Sequence, residues 1–302
     1  MTAFARRLAR RTLMLSGAGL ALLGCSPAGL LNQVSRIAGD GSVRNAVRGA
    51  SFGPDPRHKL DVYAPDTLPA GKGLPVVLFF YGGGWVDGAR GDYAFAGRAF
   101  AAQGFVAVVA DYRLVPQVRF PSFIEDGALA VKWVRDNIAR FGGDPARISL
   151  AGHSAGSYIA AMLALDRHYL TDIGVDPRTI RAAALLSGPY DFYPFTEARG
   201  RDALGQWPRP AETQPISFAR ADAPPMLLIH GTADTIARPY NSERLAAKLT
   251  ALGAPVELNL YPGKSHIDTI KSLSPAFRGS TPALADSLAF LRRHTALPTS
   301  RR

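Results

Sequence analysis

The pentapeptide Gly152-His153-Ser154-Ala155-Gly156 sets a serine between two glycines, one residue away on each side. A serine hydroxyl is a weak nucleophile until an imidazole removes its proton. Chemistry here therefore needs a base, a group to orient that base, and donors for the oxyanion that attack would create. In a chain with 30 glycines the pattern also fits an ordinary glycine-rich turn. Its setting is more informative. Ile148, Leu150 and Ala151 suit a short buried strand, and Tyr158 to Leu165 suits a helix buried on most sides. A turn that tight, from strand into helix, would hold Ser154 in a strained backbone conformation with its hydroxyl exposed.

The chain has 6 histidines, few enough to weigh singly. His58 and His168 fall in a hairpin and after a helix, and His294 closes the final helix. His230 ends a strand. His153 flanks the serine, but its side chain is expected to point away from the hydroxyl. His266, in "YPGKSHID", follows the last predicted strand by a few residues. Asp234, in "LLIHGTADTIARP", follows the strand ending near His230. Alone, His266 reads as a loop histidine and Asp234 as a turn residue. Together, Ser154, Asp234 and His266 run in the order Ser, Asp, His, each just beyond the carboxyl end of a predicted strand. That edge is where an open α/β sheet places its site. At the same edge, "GGGW" (Gly82 to Trp85) follows "PVVLFFY". Glycines let backbone N–H groups approach a developing negative charge, and each such donor stabilises the transition state by about 3 kcal/mol.

The elements that must carry these residues alternate along the chain. "RGASFG" and "HKLDVYAP" read as an opening antiparallel pair. Continuous apolar runs follow at Pro75 to Tyr81, Phe105 to Tyr112, Ile148 to Ala151, Ala182 to Gly188, Pro225 to Gly231 and Pro255 to Gly263. Helical patterns cover Tyr93 to Gln103, Phe123 to Phe141, Ala155 to Leu165, Tyr240 to Leu252 and Pro282 to His294. Apolar runs alternating with helices imply a mostly parallel, doubly wound α/β sheet with helices on both faces. Gly188 to Pro224 departs from the pattern. It carries Tyr190, Phe192, Tyr193, Phe195, Trp207 and Phe218 among prolines and glycines. A segment of that length fits a small cap or lid over the site, or an insertion whose aromatics pack it onto the body.

With 302 residues, 47% of them hydrophobic, the chain can bury a large core and is not a disordered polypeptide. The formal charge of +11 raises the question of nucleic acid, but four of those charges are Arg6, Arg7, Arg10 and Arg11. The remaining basic residues are scattered and form no recognition stripe, so no nucleic-acid partner is expected. No His/Asp/Glu cluster has metal-ligand spacing, and neither a metal nor an organic cofactor is expected.

Residues 1–24 read as an export signal: a basic "RRLARR" and then "TLMLSGAGLALLG", an apolar run of roughly a dozen residues where a membrane span takes about 20. Cys25, the single cysteine, follows at once and has no partner for an intramolecular disulfide. Leu22-Leu23-Gly24-Cys25 resembles a bacterial lipobox, with an unusual Leu23, and "RRTLML" loosely resembles a twin-arginine signal. The expectation is an exported lipoprotein of the cell envelope or periplasm, lipidated on Cys25, with residues 25–45 as a tether and 46–297 as the catalytic domain. A membrane contact is expected only through that anchor, and the oligomeric state is not readable.

Taken in order, "YGGGW", "ADYRL", "FPSFIEDGALAVKWV", "FGGDPARISLAGHSAG", "HGTAD" and "SHID" resemble the α/β-hydrolase esterases, in the group of hormone-sensitive-lipase-like, BD-FAE-type and prenylcysteine methylesterase proteins. The resemblance spans nearly everything from Pro75 to Asp268. It implies an α/β-hydrolase fold with Ser154 as nucleophile, His266 as general base and acid, Asp234 as its orienter, and an oxyanion hole from the N–H groups of Gly83, Gly84 and Ala155. Trp85, Tyr81 and His153 are the candidate substrate-binding side chains. The family usually has histidine where this chain has Tyr81, which either fills the same packing role, the favoured reading, or offers the oxyanion another donor. The implied activity is hydrolysis of small, aryl or short-chain carboxylic esters through an acyl-enzyme. The alternatives are an arylformamidase-like amidase and a non-catalytic binding protein on the same fold.

Overall fold

The computed structural model describes residues 27–297 apart from 40, 70 and 72. The export signal and Cys25 therefore lie outside the described residues. The apolar runs singled out above are β-strands, the central ones buried on both faces and the last, Val256–Tyr261, only partly buried. β1 (Val43–Ser51) and β2 (Lys59–Pro65) form the expected antiparallel pair. A first helix, α1 (Pro27–Ala38), precedes them; β3 (Leu74–Phe80) is followed by α2 (Ala94–Ala101), β4 (Val106–Ala110) and α3 (Ser122–Asn137). β5 (Gly143–His153) leads into α4 (Ala155–Leu165) and the single turn α5 (His168–Thr171).

The second half continues with β6 (Ile180–Leu186), the short α6 (Ala198–Leu204), β7 (Met226–Gly231), α7 (Tyr240–Ala251), β8 (Val256–Tyr261), the turn α8 (Asp268–Lys271) and α9 (Ala283–Thr295). The eight strands lie in the order β1-β2-β4-β3-β5-β6-β7-β8. β2 meets β4 antiparallel, and every pairing from β4 through to β8 is parallel. The chain winds from β3 outward to β4 and then back past β3 to β5. That reversal of direction opens a crevice at the carboxyl ends of the strands.

Register aligns those ends. Phe80 of β3 lies beside Gly152 of β5, His153 beside Leu186 of β6, Leu186 beside Ile229 of β7, and Gly231 beside Tyr261 of β8. The loops leaving β3, β5, β7 and β8 therefore emerge along one rim. Val76 to Phe80, Val106 to Ala110 and Ala182 to Leu186 are fully or almost fully buried, and this core makes the rim stiff.

One stretch differs from expectation. Residues 27–38, expected within a tether, form α1 (Pro27–Ala38), whose Ala28 and Leu31 join the core. Ser35 Oγ donates to Leu31 O at 2.8 Å and meets Ser274 Oγ at 2.7 Å, fixing the helix to a turn 239 residues away. The next part of the same stretch opens β1. Residues 188–224, read as a cap or as an insertion packed onto the body, are organised by α6 and two 3-10 turns (Pro210–Thr213, Pro215–Phe218). Their aromatics pack onto the body. Phe192 stacks on Trp85 with ring centroids 6.2 Å apart, Trp207 meets Phe120 edge-on at 5.0 Å, and Tyr190 is fully buried with its hydroxyl 2.8 Å from Ser157 Oγ.

Among the described residues, no helix is long and apolar enough to cross a membrane.

Candidate active site

β5 ends at His153, and α4 begins at Ala155, so Ser154 alone makes the turn. Its φ of 55° and ψ of −123° lie where a residue with a side chain rarely sits, a cost of about 1–3 kcal/mol. The surroundings hold it there. Ser154 N–H donates to Leu186 O at 2.9 Å, and Tyr158 N–H closes the first helical turn on Ser154 O at 3.0 Å. A side chain at Gly156 would collide with the carbonyl of Phe80, so only glycine lets β3 and α4 approach this closely. As the first helical residue, Ala155 also has an N–H without an intrahelical acceptor.

The three predicted residues are brought to this rim from three loops. His266 Nδ1 lies 2.7 Å from Asp234 Oδ2. The loop carrying His266 lies against the end of β7: Ala233 N–H donates to Lys264 O at 2.9 Å, and a side chain at Gly231 would strike that same carbonyl. With Nδ1 committed to Asp234, Nε2 is the ring atom left to exchange a proton. The hydrogen bonds of the site run from His266 to Asp234 and not to Ser154; the link on the serine side is His153. Its ring centroid is 4.8 Å from that of His266, and its Nε2 lies 3.1 Å from His266 O. A carbonyl only accepts, so His153 carries its proton on Nε2 and ties the His266 loop to the elbow. Complete burial, with the nearby His266 charge adding to it, depresses the His153 imidazole to about 3, so it is neutral at physiological pH.

Asp234 is held by more than its expected partner. Oδ2 accepts from His230 Nε2 at 3.1 Å as well as from His266, while Oδ1 accepts from the N–H groups of Ile236 at 2.8 Å and Ala237 at 3.0 Å. Burial alone would raise this carboxyl. The two imidazole hydrogen bonds, the His266 charge and the backbone donors outweigh it and hold Asp234 well below the usual carboxylate range. His230, fully buried, is itself fixed by Ser242 Oγ at 2.7 Å from its Nδ1. The sequence marks His230 only as a strand end. Its position four residues before Asp234, across a turn that Asp234 N–H closes on Gly231 O, is the signal that could have paired them.

Gly83 (φ 144°), Gly84 (φ 61°) and Trp85 (φ 63°) form the loop after β3. The Val86 and Asp87 N–H groups fold back onto Gly83 O, and the N–H groups of Gly83 and Gly84 find no acceptor among the described residues. They remain available as donors, as expected of an oxyanion hole.

The three candidate substrate-binding side chains fare differently. Tyr81 does not reach the site. It is fully buried, stacked on Tyr112 and Tyr93 at 4.7 and 5.5 Å, and its hydroxyl donates to Asp111 Oδ1 at 3.0 Å while accepting from Arg57 Nη2 at 2.8 Å. Arg90 completes the cluster, contacting Asp111 and, through Nε at 2.9 Å, Asp61. Tyr81 is thus a packing and network residue, because its hydroxyl is spent on Asp111 and Arg57. Trp85 is also buried, between Phe123 and Phe192, and forms wall rather than exposed surface; its Nε1 has no partner among the described residues. His153 serves the His266 loop, as described.

No group of three or more His, Cys, Asp or Glu side chains among the described residues is arranged to hold a metal ion. A cavity of about 660 Å³ opens at the opposite end of the sheet, beside the starts of β6 and β7, remote from this chemistry.

Comparison with known proteins adds to this geometry. The BD-FAE family model matches residues 60–249. The probable isoprenylcysteine alpha-carbonyl methylesterase ICMEL1 of Oryza sativa subsp. japonica is 30% identical over 290 residues, covering 84% of this chain and 66% of that protein. Esterase LipC of Mycobacterium tuberculosis is 32% identical over 239 residues, covering 72% and 59%. The chain thus spans about two thirds or less of the length of these curated relatives. Among solved structures, the esterase Est2 of Thermogutta terrifontis superposes with a TM-score of 0.67 at 25% identity, covering 87% of this chain and 96% of its own.

Proposed function

Since this chain belongs to the BD-FAE family and has the α/β-hydrolase fold, we propose that it is a serine carboxylic ester hydrolase with Ser154, His266 and Asp234 as its triad. The observation that carries this reading is the 2.7 Å pairing of His266 with Asp234 on the rim where Ser154 is held in its strained turn. Ser154 Oγ attacks the ester carbonyl carbon while its proton passes to Nε2 of His266. The carbonyl oxygen becomes an oxyanion facing the N–H groups of Gly83, Gly84 and Ala155. Collapse expels the alcohol, which takes the proton from His266, and leaves the acyl group on Ser154. Water then attacks with His266 again as base, releasing the acid. Asp234 stays ionised throughout, fixing the tautomer that leaves Nε2 free to accept.

The buried aromatic wall of Trp85, Phe192, Phe123 and Tyr158 supports small, aryl or short-chain acyl groups. A series of aryl esters from acetate upward tests mechanism and pocket depth together. Activity should fall steadily beyond the shorter chains, and Ser154→Ala should remove at least about 10⁴-fold of kcat at every length. Retention of most of the activity by a folded Ser154→Ala protein would refute the reading.

The export signal and the lipobox-like Leu22–Cys25 support a second part of the proposal, an enzyme anchored in the cell envelope through Cys25. Radiolabelled palmitate should be incorporated in a bacterial host and lost in Cys25→Ser; equal label in both would refute the anchor.

A further inference from the structure

The insertion between β6 and β7 presents three arginines close together in sequence, and their surroundings differ. Arg201 donates to the carbonyls of Thr196 at 2.6 Å and Phe195 at 3.3 Å, and Arg209 pairs with Glu212. Arg199, between them in character but not in bonding, makes no hydrogen bond or ion pair among the described residues. It is also the one that reaches the site. Its side chain lies across Gly84: a Cβ on that glycine would sit 2.7 Å from Arg199 Cδ and 3.5 Å from Nη1. Bond geometry then puts the guanidinium within roughly 6 Å of the Gly84 nitrogen, one of the donors assigned to the oxyanion.

A second feature of the same loop points the same way. Trp85, the next residue, has its indole Nε1 buried without an acceptor. Several other arginines of the fold are ion-paired: Arg90 with Asp61 and Asp111, Arg113 with Asp126, Arg244 with Asp191. Arg199 instead lays an exposed guanidinium, without a partner among the described residues, over the oxyanion loop. Guanidinium binds carboxylate through paired, charge-assisted hydrogen bonds, which a neutral ester cannot supply.

We propose that Arg199 selects esters that carry a carboxylate on the acyl or the alcohol portion, a few bonds from the scissile carbonyl. This rests on the ester-hydrolase reading and names the substrate class for that site. Such an ester would seat its carbonyl oxygen at the glycine loop and its carboxylate against Arg199. Hydrolysis yields a product with one more carboxylate than the substrate, or a hydroxy acid, so the anion binder serves recognition of the substrate and not of bond breaking.

The test uses two matched pairs followed by acid release: monomethyl succinate against methyl pentanoate, and acetoxyacetate against propyl acetate. In at least one pair the wild type should show a higher kcat/KM for the charged member, carried mainly by KM. Arg199→Gln should lower that charged-to-neutral ratio by about tenfold or more, Arg199→Lys should retain part of it, and the ratio should shrink as salt rises from about 0.05 to about 0.5 M. A ratio insensitive to Arg199→Gln in both pairs, or a wild type that prefers the neutral member of both, would overturn the proposal while leaving ester hydrolysis standing. A folded wild type that hydrolyses none of the four esters would instead overturn the ester-hydrolase reading, and this proposal with it.

Discussion

The two sides of the Ser154 elbow handle polar groups in opposite ways. On the β7–β8 side, the groups that orient His266 are occupied, and its Nε2 is the ring atom left open for the proton. Asp234 accepts four hydrogen bonds, His230 is held at both nitrogens, and the His266 carbonyl accepts from His153 and from Thr269 Oγ1 at 3.1 Å. On the β3 side, donors are left over: the N–H groups of Gly83 and Gly84, Trp85 Nε1 and the Arg199 guanidinium. A saturated network fixes one charge state and one geometry, while an unsaturated one is ready to receive negative charge that arrives with the reaction. The difference teaches which side does which work: the first moves a proton, and the second meets the substrate.

The largest break in that contrast is Asp234→Asn. It keeps shape and removes the charge that fixes His266, and kcat should fall about 10³- to 10⁴-fold with little change in KM. A loss confined to KM would place Asp234 on the substrate-facing side instead. Tyr81→Phe tests whether the cluster beneath the glycine loop belongs to the catalytic surface. Removing a hydroxyl that donates to Asp111 and accepts from Arg57 should cost about 1–2 kcal/mol of stability in chemical denaturation. Because the hydroxyl is committed to Asp111 and Arg57, kcat should stay within about threefold of wild type. A hundredfold fall in kcat with wild-type stability would restore Tyr81 as an oxyanion donor.

The remaining effect concerns acid stability. His153 is neutral in the fold, with its imidazole depressed to about 3, and titrates near 6.5 once unfolded. Between those values the unfolded chain binds the extra proton, so stability is full above about pH 6.5 and declines as pH falls towards 3, by at most about 1.4 kcal/mol per pH unit. His153→Gln keeps a donor for the His266 carbonyl and removes the titration. Its melting temperature should therefore fall less steeply with acid than that of the wild type; parallel curves would show that His153 does not titrate this way.

Much of the fold is legible because parallel strands buried on both faces are written as unbroken apolar runs, and Ala155 to Leu165 is helical over the expected span. The site is legible for a related reason. Ser154, Asp234 and His266 each follow a strand end, and strand ends share one edge. What the sequence hides depends on contacts distant along the chain. α1 mixes small and polar residues with a few apolar ones in a stretch that reads as a tether, and what docks it is the burial of Ala28 and Leu31 together with the meeting of Ser35 with Ser274. Tyr81 stands where a family histidine is usual, yet its direction is set by Asp111 and Arg57, 30 and 24 residues away. Arg199 is one arginine among several until the fold lays it over Gly84.

The account rests on a hydroxyl made nucleophilic by its position, and covalent capture tests that most directly. Wild-type protein treated with a fluorophosphonate and examined by intact mass and peptide mapping should gain a single adduct on Ser154, absent in Ser154→Ala and formed far more slowly in Asp234→Asn. A folded wild type that stays unmodified at Ser154, or an adduct that persists in Ser154→Ala, would contradict it.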